Sequence, residues 1–552
     1  MVVLVTKVII FLVVGSISTI QLVLNAKVRK LKLYDYVIVI LLTGYTLYLL
    51  FKLGSHPDLF LDEGNGMYDS WSLAKYGVDS NLIHLPVYLE SFAGQGQSVL
   101  YAYLAIPFFK IFGYKIFAFR LVILITSIVT ILVLRYTLEK ITLSSKQIFF
   151  IMLVVCSSPW LLMVSRWGMD CNIAPFPIVL GSCLIYLGTL NGKLIRQTFL
   201  YLLGVIILCL SAYGYNVAWF FLPIVLLIMM ITLIGKKKIN LYQIFLCVIA
   251  ALVELTPIII FAVRSNIPSL NKTVQILFWT SPKLQSGRAG ASFISFRGNI
   301  IKNIFENIFE NLYAGANMFL HGSDSLAWNS VPGYGAYYAF ALPFFLMGLY
   351  VIIKRRKIYD WFILANLIAV IPTLMIVIPN YNHWIFLHFP VLLTIAIGVN
   401  LVTQRVREIV PVMIVTYAIS LGMFIPAYFN QAGTGWIIQS ANVLKTLETN
   451  NYKKVYFTSS QGDFLLMVRD FLPVSPYKYQ ATKDHPYSKT ILAVSSKYDN
   501  FETLTPETKV KSNSLILVDQ SLLPQVQGML GKDKYQKTVT INNIKYNVYY
   551  HA

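Results

Sequence analysis

Over its first 430 residues the chain alternates long apolar runs with short polar connections. Runs of about 20 apolar residues cross a bilayer as helices. Roughly twelve are found, near 4–24, 34–53, 117–136, 147–164, 174–190, 198–212, 217–234, 242–263, 336–353, 359–379, 385–402 and 409–429. Residues 98–113, SVLYAYLAIPFFKIFG, are apolar but short, and they contain Pro107 and Lys110. They predict a re-entrant or interfacial helix, not a span. Along 300–312, IIKNIFENIFENL places Ile300, Ile301, Ile304, Phe305, Ile308, Phe309 and Leu312 on one helical face. That period predicts an amphipathic helix lying flat on a membrane.

From about Trp436 the apolar runs shorten to strand length in KKVYFTS, KTILAVS and SLILVD. They alternate with helix-like GDFLLMVRDFL and SLLPQVQGML, and YQKTVTINNIKYNVYYH reads as two strands about an Asn-Asn turn. The expected fold class is an all-α polytopic membrane domain of about 12 transmembrane helices over 1–430, followed by a small α/β domain over 431–552.

Composition agrees with a bilayer as the main solvent: the 552 residues are 57% hydrophobic and 12% charged. A net charge of +21 raises the possibility of nucleic acid, but the basic residues lie in short clusters between apolar runs and not along one polar face. They fall at every second connection: Lys27, Arg29, Lys30 and Lys32; Arg135, Lys140 and Lys146; Lys193 and Arg196; Lys236 to Lys238; Lys354 to Lys357; Arg405 and Arg407. This alternation assigns those connections to the cytoplasm. It puts 54–116, 165–173, 213–216, 264–335, 380–384 and the terminal domain outside. The five cysteines have no paired spacing and read as small buried hydrophobes. Residues 2–24 lack a charged start and a cleavage site, so a retained span is expected there.

Four outer segments carry candidate chemistry. In LDEGNGMYDSWSLAKYG, Asp62 and Glu63 follow a span directly, at headgroup depth, while Asp69 and Asp79 read as ordinary loop acids. In SRWGMDCN, Asp170 faces the same compartment, and Arg166 offers it a structural partner as the competing reading. HGSDSLAWNSVPGYGAYY carries Asp324, a turn former or an acceptor-site residue. PNYNHWIFLHFP carries Asn382 and His383 at the mouth of a span. A phosphate needs cations on that side; Lys75, Arg166, Arg264, Lys272, Lys283, Arg288 and Arg297 are available. Arg166, Arg288 and Arg297 are preferred, because a guanidinium fork suits phosphate.

LDEG in the first outer loop, LYAYLAIPFFKIFG, FAFRL opening the next span, SPWLLMVSRWGMD and DSLAWNSVPGYGAYY together resemble the polytopic glycosyltransferases of the GT-C class. The resemblance is to bacterial members of the protein-mannosyltransferase and aminoarabinose-transferase-like group. It covers roughly the first 430 residues. It implies that Asp62 stands at the catalytic acid's place, Glu63 at the acceptor-positioning acid's and Asp170 at the second-loop acid's. The chain departs from the pattern by an extra first span, and it lacks a close match to the phosphate-binding basic residues of the aminoarabinose enzymes.

The implied chemistry is inverting transfer of a monosaccharide from a polyprenyl-phosphate carrier to an extracytoplasmic acceptor, one carboxylate acting as base. The favoured acceptor is a cell-envelope glycan such as teichoic acid or polysaccharide; a protein acceptor is the alternative. A flippase or transporter of lipid-linked saccharides is a second class, but neither midplane charge nor inverted repeats are evident. A scaffold using the terminal domain is a third. No cofactor is expected beyond the lipid-linked sugar, and no ligand cluster compels a divalent cation. Expected partners are the polyprenyl-phosphate sugar, the acceptor, membrane lipid, and a polyprenyl-phosphate sugar synthase or flippase.

Overall fold

The computed structural model describes residues 2–28, 30–91, 94–141, 143–285, 300–324, 326, 328–431, 433, 435–484, 495–531 and 533–552. The chain divides into two compact units. The first comprises Met1–Leu53, Arg120–Ile260 and Arg288–Ala432; the second comprises Gly54–Phe119, Phe261–Gly287 and Gly433–Ala552. The passage near 430 is thus one of several between the units, and the first outer loop belongs with the terminal chain.

The first unit is helical. Among the described residues of the protein, ten helices are long and apolar enough to cross a membrane, from Val2–Lys27 to Ile409–Asn430. The protein is multi-pass. Two of the twelve expected spans take shorter forms. Around 147–164, Ser145–Cys156 stops at Ser157 and a new helix, Pro159–Val164, starts on its proline. Around 336–353, a single 3-10 turn precedes Leu342–Arg355.

Helices in lipid associate through small residues that let backbones approach. Leu342–Arg355 and Ile385–Arg405 meet in this way. A Cβ on Gly348 would strike the Thr394 carbonyl, and one on Gly398 the Phe344 carbonyl.

The amphipathic segment is a helix, Ile300–His321. It buries Asn311, Gly315 and Met318, and Asn311 donates to the Leu374 and Val377 carbonyls at 2.8 and 2.9 Å. Phe305 and Phe309 are each 71% exposed, so this helix offers its apolar face outward.

The second unit contains a helix at Leu61–Tyr76 and another at Leu100–Phe112. The latter has 13 residues and is about 20 Å long, short of a roughly 30 Å hydrocarbon core. A small hairpin, Val274–Ile276 with Trp279–Ser281, joins the first loop where Val87 donates to Thr280 and Thr280 to Leu85 at 2.9 and 3.0 Å.

The terminal chain forms a six-stranded sheet in the order 497–498, 501–503, 454–458, 514–519, 544–551, 534–541. Lys454–Thr458 runs parallel to both its neighbours, and the remaining pairs are antiparallel. Tyr456, Leu504, Ile516, Val518, Val526 and Leu530 fill one face of the sheet. The last hairpin turns on Asn542 and Asn543, both left-handed at φ 50° and 65°, the geometry of a tight hairpin and one that asparagine tolerates. The expected strand in KTILAVS falls mostly on 485–494, outside the described residues.

Candidate functional site

In the second unit, Phe60 is extended and the helix begins at Leu61, so Asp62 and Glu63 lie in its first turn. Acids there complement the helix dipole. Asp62 is half-buried and Glu63 buried. Gly64 and Gly66 follow. Glycine weakens a helix, but here it makes room: a Cβ on Gly64 would meet the Asp470 carboxylate and the Trp436 ring, and one on Gly66 would press on Gln97 at 3.1 Å.

The residue that fills this space comes from the terminal domain. Helix Phe464–Phe471 delivers Arg469 and Asp470, 4% and 0% exposed, to the Asp62 helix. Arg469 Nε donates to Asp470 Oδ1 at 3.0 Å, and its Nη2 donates to Asn65 Oδ1 at 3.0 Å. Its guanidinium lies 4.4 Å from the Tyr68 ring centre and 5.3 Å from that of Tyr479. Asn65 donates to Gln97 Oε1 at 3.0 Å and to Asp69 at 3.3 Å, and Gln97 donates to the Asp62 carbonyl at 3.0 Å.

Asp69 and Asp79 are not solvated loop acids. Asp69 is fully buried and accepts from Ser80 N at 2.7 Å. Asp79, 1% exposed, closes a turn by accepting from Asn81 N and Ile83 N at 2.9 and 2.8 Å. Burial raises the Asp69 carboxyl and, with Asp69 nearby, pushes Asp79 up to about 8. Burial also pushes Asp470 up to about 7 against the pull of Arg469. Its Oδ2 is buried with no hydrogen-bond partner among the described residues. For Arg469, burial works against the charged form, but Asp470 and the neighbouring tyrosines and Asp69 overcome it and hold the guanidinium charged.

Lys75 is exposed at the far end of the same helix, its ammonium 5.4 and 5.3 Å from the Trp71 and Tyr76 ring centres. Thirteen residues of helix separate it from Asp62 by about 20 Å, too far to hold a phosphate at that carboxylate.

The other candidates lie in the first unit. Arg166 is buried and caps the span Leu33–Leu50, donating to the Tyr48 carbonyl, to Leu49 O at 2.8 Å and to Phe51 O at 2.6 Å. Its guanidinium also packs on Tyr48, Tyr428 and Phe429, 5.0 to 5.8 Å from their centres. The expected phosphate fork is therefore engaged on the carbonyls at the end of that helix. Arg120, unsuspected from sequence because it reads as the opening of a span, is likewise fully buried and donates to Leu53 O at 3.2 Å. An arginine inside an apolar run was the available signal.

Asp170 is buried in the first turn of Asp170–Ile173. Asp324 accepts from Leu326 N at 3.1 Å, Asn329 Nδ2 at 2.8 Å and Tyr381 N at 3.0 Å. Asn382 donates to Asn329 Oδ1 at 2.8 Å. His383 Nδ1 lies 2.8 Å from Ile378 O. Asp324 thus ties its own loop to the backbone of Tyr381. These loops and 165–172 come together around a small cavity lined by Trp160, Trp167, Asn172, Asn329, Tyr381 and Asn382. Arg288 and Arg297 lie outside the described residues. Among the described residues, no group of three or more His, Cys, Asp or Glu is arranged to hold a metal ion.

No family model and no curated protein matches the chain. Solved structures do. ArnT from Cupriavidus metallidurans in the apo state has a TM-score of 0.52 at 9% identity, covering 92% of this chain and 97% of that one. The same protein bound to undecaprenyl phosphate scores 0.56 at 10% identity, covering 94% and 98%. The Archaeoglobus fulgidus oligosaccharyltransferase, in complex with Zn and sulfate, scores 0.50 at 12% identity over 87% of this chain and 68% of its own. With its apolar spans and terminal sheet domain, the chain shares the GT-C-type fold of these structures.

Proposed function

We propose that this protein transfers a monosaccharide from a polyprenyl-phosphate carrier to an acceptor outside the cytoplasmic membrane, with Asp62 as the base. The observation that carries this reading is the Asp62–Glu63 pair in the first turn of the helix that follows the span Leu33–Leu50, in a chain whose fold resembles an undecaprenyl-phosphate-binding ArnT. A sugar on polyprenyl phosphate already has a stable anionic leaving group, so no general acid is needed. The acceptor oxygen attacks the anomeric carbon as its proton passes to the Asp62 carboxylate. The bond from that carbon to the phosphate oxygen breaks, and polyprenyl phosphate leaves with the electron pair. One displacement inverts the anomeric centre; a second carboxylate acting as nucleophile would retain it.

Glu63 positions the acceptor hydroxyl, and Asp170 is the second acid of the outer face. With Arg166 capping a helix and Lys75 distant from Asp62, Arg288 and Arg297 are the preferred phosphate ligands. The alternation of basic loops supports an extracytoplasmic terminal domain and reacting groups. The favoured acceptor is a cell-envelope glycan such as teichoic acid or polysaccharide. The test is Asp62→Asn in proteoliposomes supplied with a polyprenyl-phosphate sugar. We expect turnover to fall by about 100-fold or more in a protein that elutes and melts like the parent. Unchanged turnover in that folded variant removes the proposed base.

A further inference from the structure

Arg469 has no evident reason to be where it is if the terminal domain only packs against the outer loop. A buried guanidinium carries a large desolvation cost, and apolar side chains of equal volume would serve packing as well or better. Its hydrogen bonds instead run in one direction. Arg469 donates to the Asn65 carbonyl oxygen, Asn65 donates to the Gln97 carbonyl oxygen, and Gln97 donates to the main-chain carbonyl of Asp62, each at 3.0 Å. Reversing the Asn65 amide would turn its NH2 toward the guanidinium, so the cation fixes the sense of the whole chain. Arg469 and Asn65 are 404 residues apart in sequence.

The Arg469 end is held rigidly. Asp470 Oδ1 accepts its Nε, and Tyr68 and Tyr479 flank the guanidinium. The Tyr114 hydroxyl donates to the Asp470 carbonyl at 2.8 Å, and the Tyr68 hydroxyl to the Val474 carbonyl at 2.9 Å. The other end of the chain is the first turn of a helix, where backbone order is least secure. The donor from Gln97 to the residue-62 carbonyl ties that turn to the loop carrying Gln97.

We propose that Arg469 of the terminal domain is a positioning residue for transfer, fixing the Asp62 turn through Asn65 and Gln97. The inference rests on the base role given to Asp62. The terminal domain then completes the geometry of the reacting centre, beyond any role in guiding an acceptor.

The experiment uses the full chain in proteoliposomes with a polyprenyl-phosphate sugar, and compares Arg469→Lys, Arg469→Met and Gln97→Leu with the parent. Lys478→Ala, which breaks the surface pair with Asp499 in the same domain, is the control for a general loss of stability. Each variant is characterised by kcat and donor KM, and by the rate at which an impermeant thiol reagent labels Cys introduced as Asp62→Cys in the same background. We expect Arg469→Met and Gln97→Leu to lower kcat by about 10- to 100-fold, as small misplacements of reacting groups do. Donor KM should stay unchanged, labelling at position 62 should accelerate, and Arg469→Lys should recover part of both effects.

Parental kcat and labelling in Gln97→Leu and Arg469→Met overturn the proposal. So does a loss in all variants that merely follows their melting temperatures, as Lys478→Ala calibrates it. Faster labelling with an Asp62→Asn enzyme that still turns over supports the positioning of this turn and sinks the base assignment, so the two readings fail separately. If Arg469→Met does not fold, Gln97→Leu and Arg469→Lys decide.

Discussion

Asp470 and Asp79 are carboxyls raised above their ordinary 3.8, to about 7 and about 8, because burial disfavours their charged forms. The folded protein therefore binds protons at these sites that the unfolded chain has released. The stability they contribute is complete below the unfolded value and declines as pH rises through 7 to 8. Thermal unfolding of the purified protein in detergent should give a higher melting temperature near pH 6 than near pH 9. Asp470→Asn should reduce that difference, since an amide cannot titrate, while Asp79 continues to contribute. An unaltered slope in Asp470→Asn would show that the carboxyl does not hold its proton. Little of this was readable beforehand. Asp69 and Asp79 lie in a polar stretch, and only the chain packed over them removes their water.

The helix Ile300–His321 shows how much a period alone conveys. Its apolar stripe was legible as Phe305, Phe309 and Leu312 at helical spacing, and these side chains are exposed. An exposed apolar face fits a bilayer surface. Phe309→Trp should therefore fluoresce to the blue and be quenched by brominated lipids in reconstituted vesicles; an emission maximum typical of water would contradict a membrane-facing stripe. The opposite face was not legible. Asn311 looks like one more polar residue, yet it caps the Leu374 and Val377 carbonyls where the helix Ile371–Ile376 ends. Arg166 teaches the same lesson: the residues nearby in sequence gave no sign that it also donates to the carbonyls of a distant helix end.

For the whole molecule, the division of the chain follows contacts and not sequence order: 54–119 and 261–287 belong with 433–552. Leu59 and Trp436 exchange backbone hydrogen bonds at 3.2 and 2.8 Å, so the terminal segment is tied to the residues leading into the Asp62 helix. Ending the chain at 432 would strip Asn65 of Arg469, expose Tyr68 and leave Gly64 facing water. We expect such a truncated protein to insert in membranes but to transfer nothing, even to a short soluble acceptor, in the proteoliposome assay. Full activity on the short acceptor would reduce the terminal domain to a guide for larger ones.

The amino-acid order by itself determined the features whose physics is local: where apolar runs are long enough to favour lipid, where a helical stripe repeats, and where Asn542-Asn543 turns a hairpin. It also marked Asp62 and Glu63, because acids next to a span stand out against an apolar background. Only the tertiary structure decided which polar groups are buried and what satisfies them. Desolvation is set by every element packed around a group, and the partner that offsets it here, Arg469 for Asn65, stands 404 residues away.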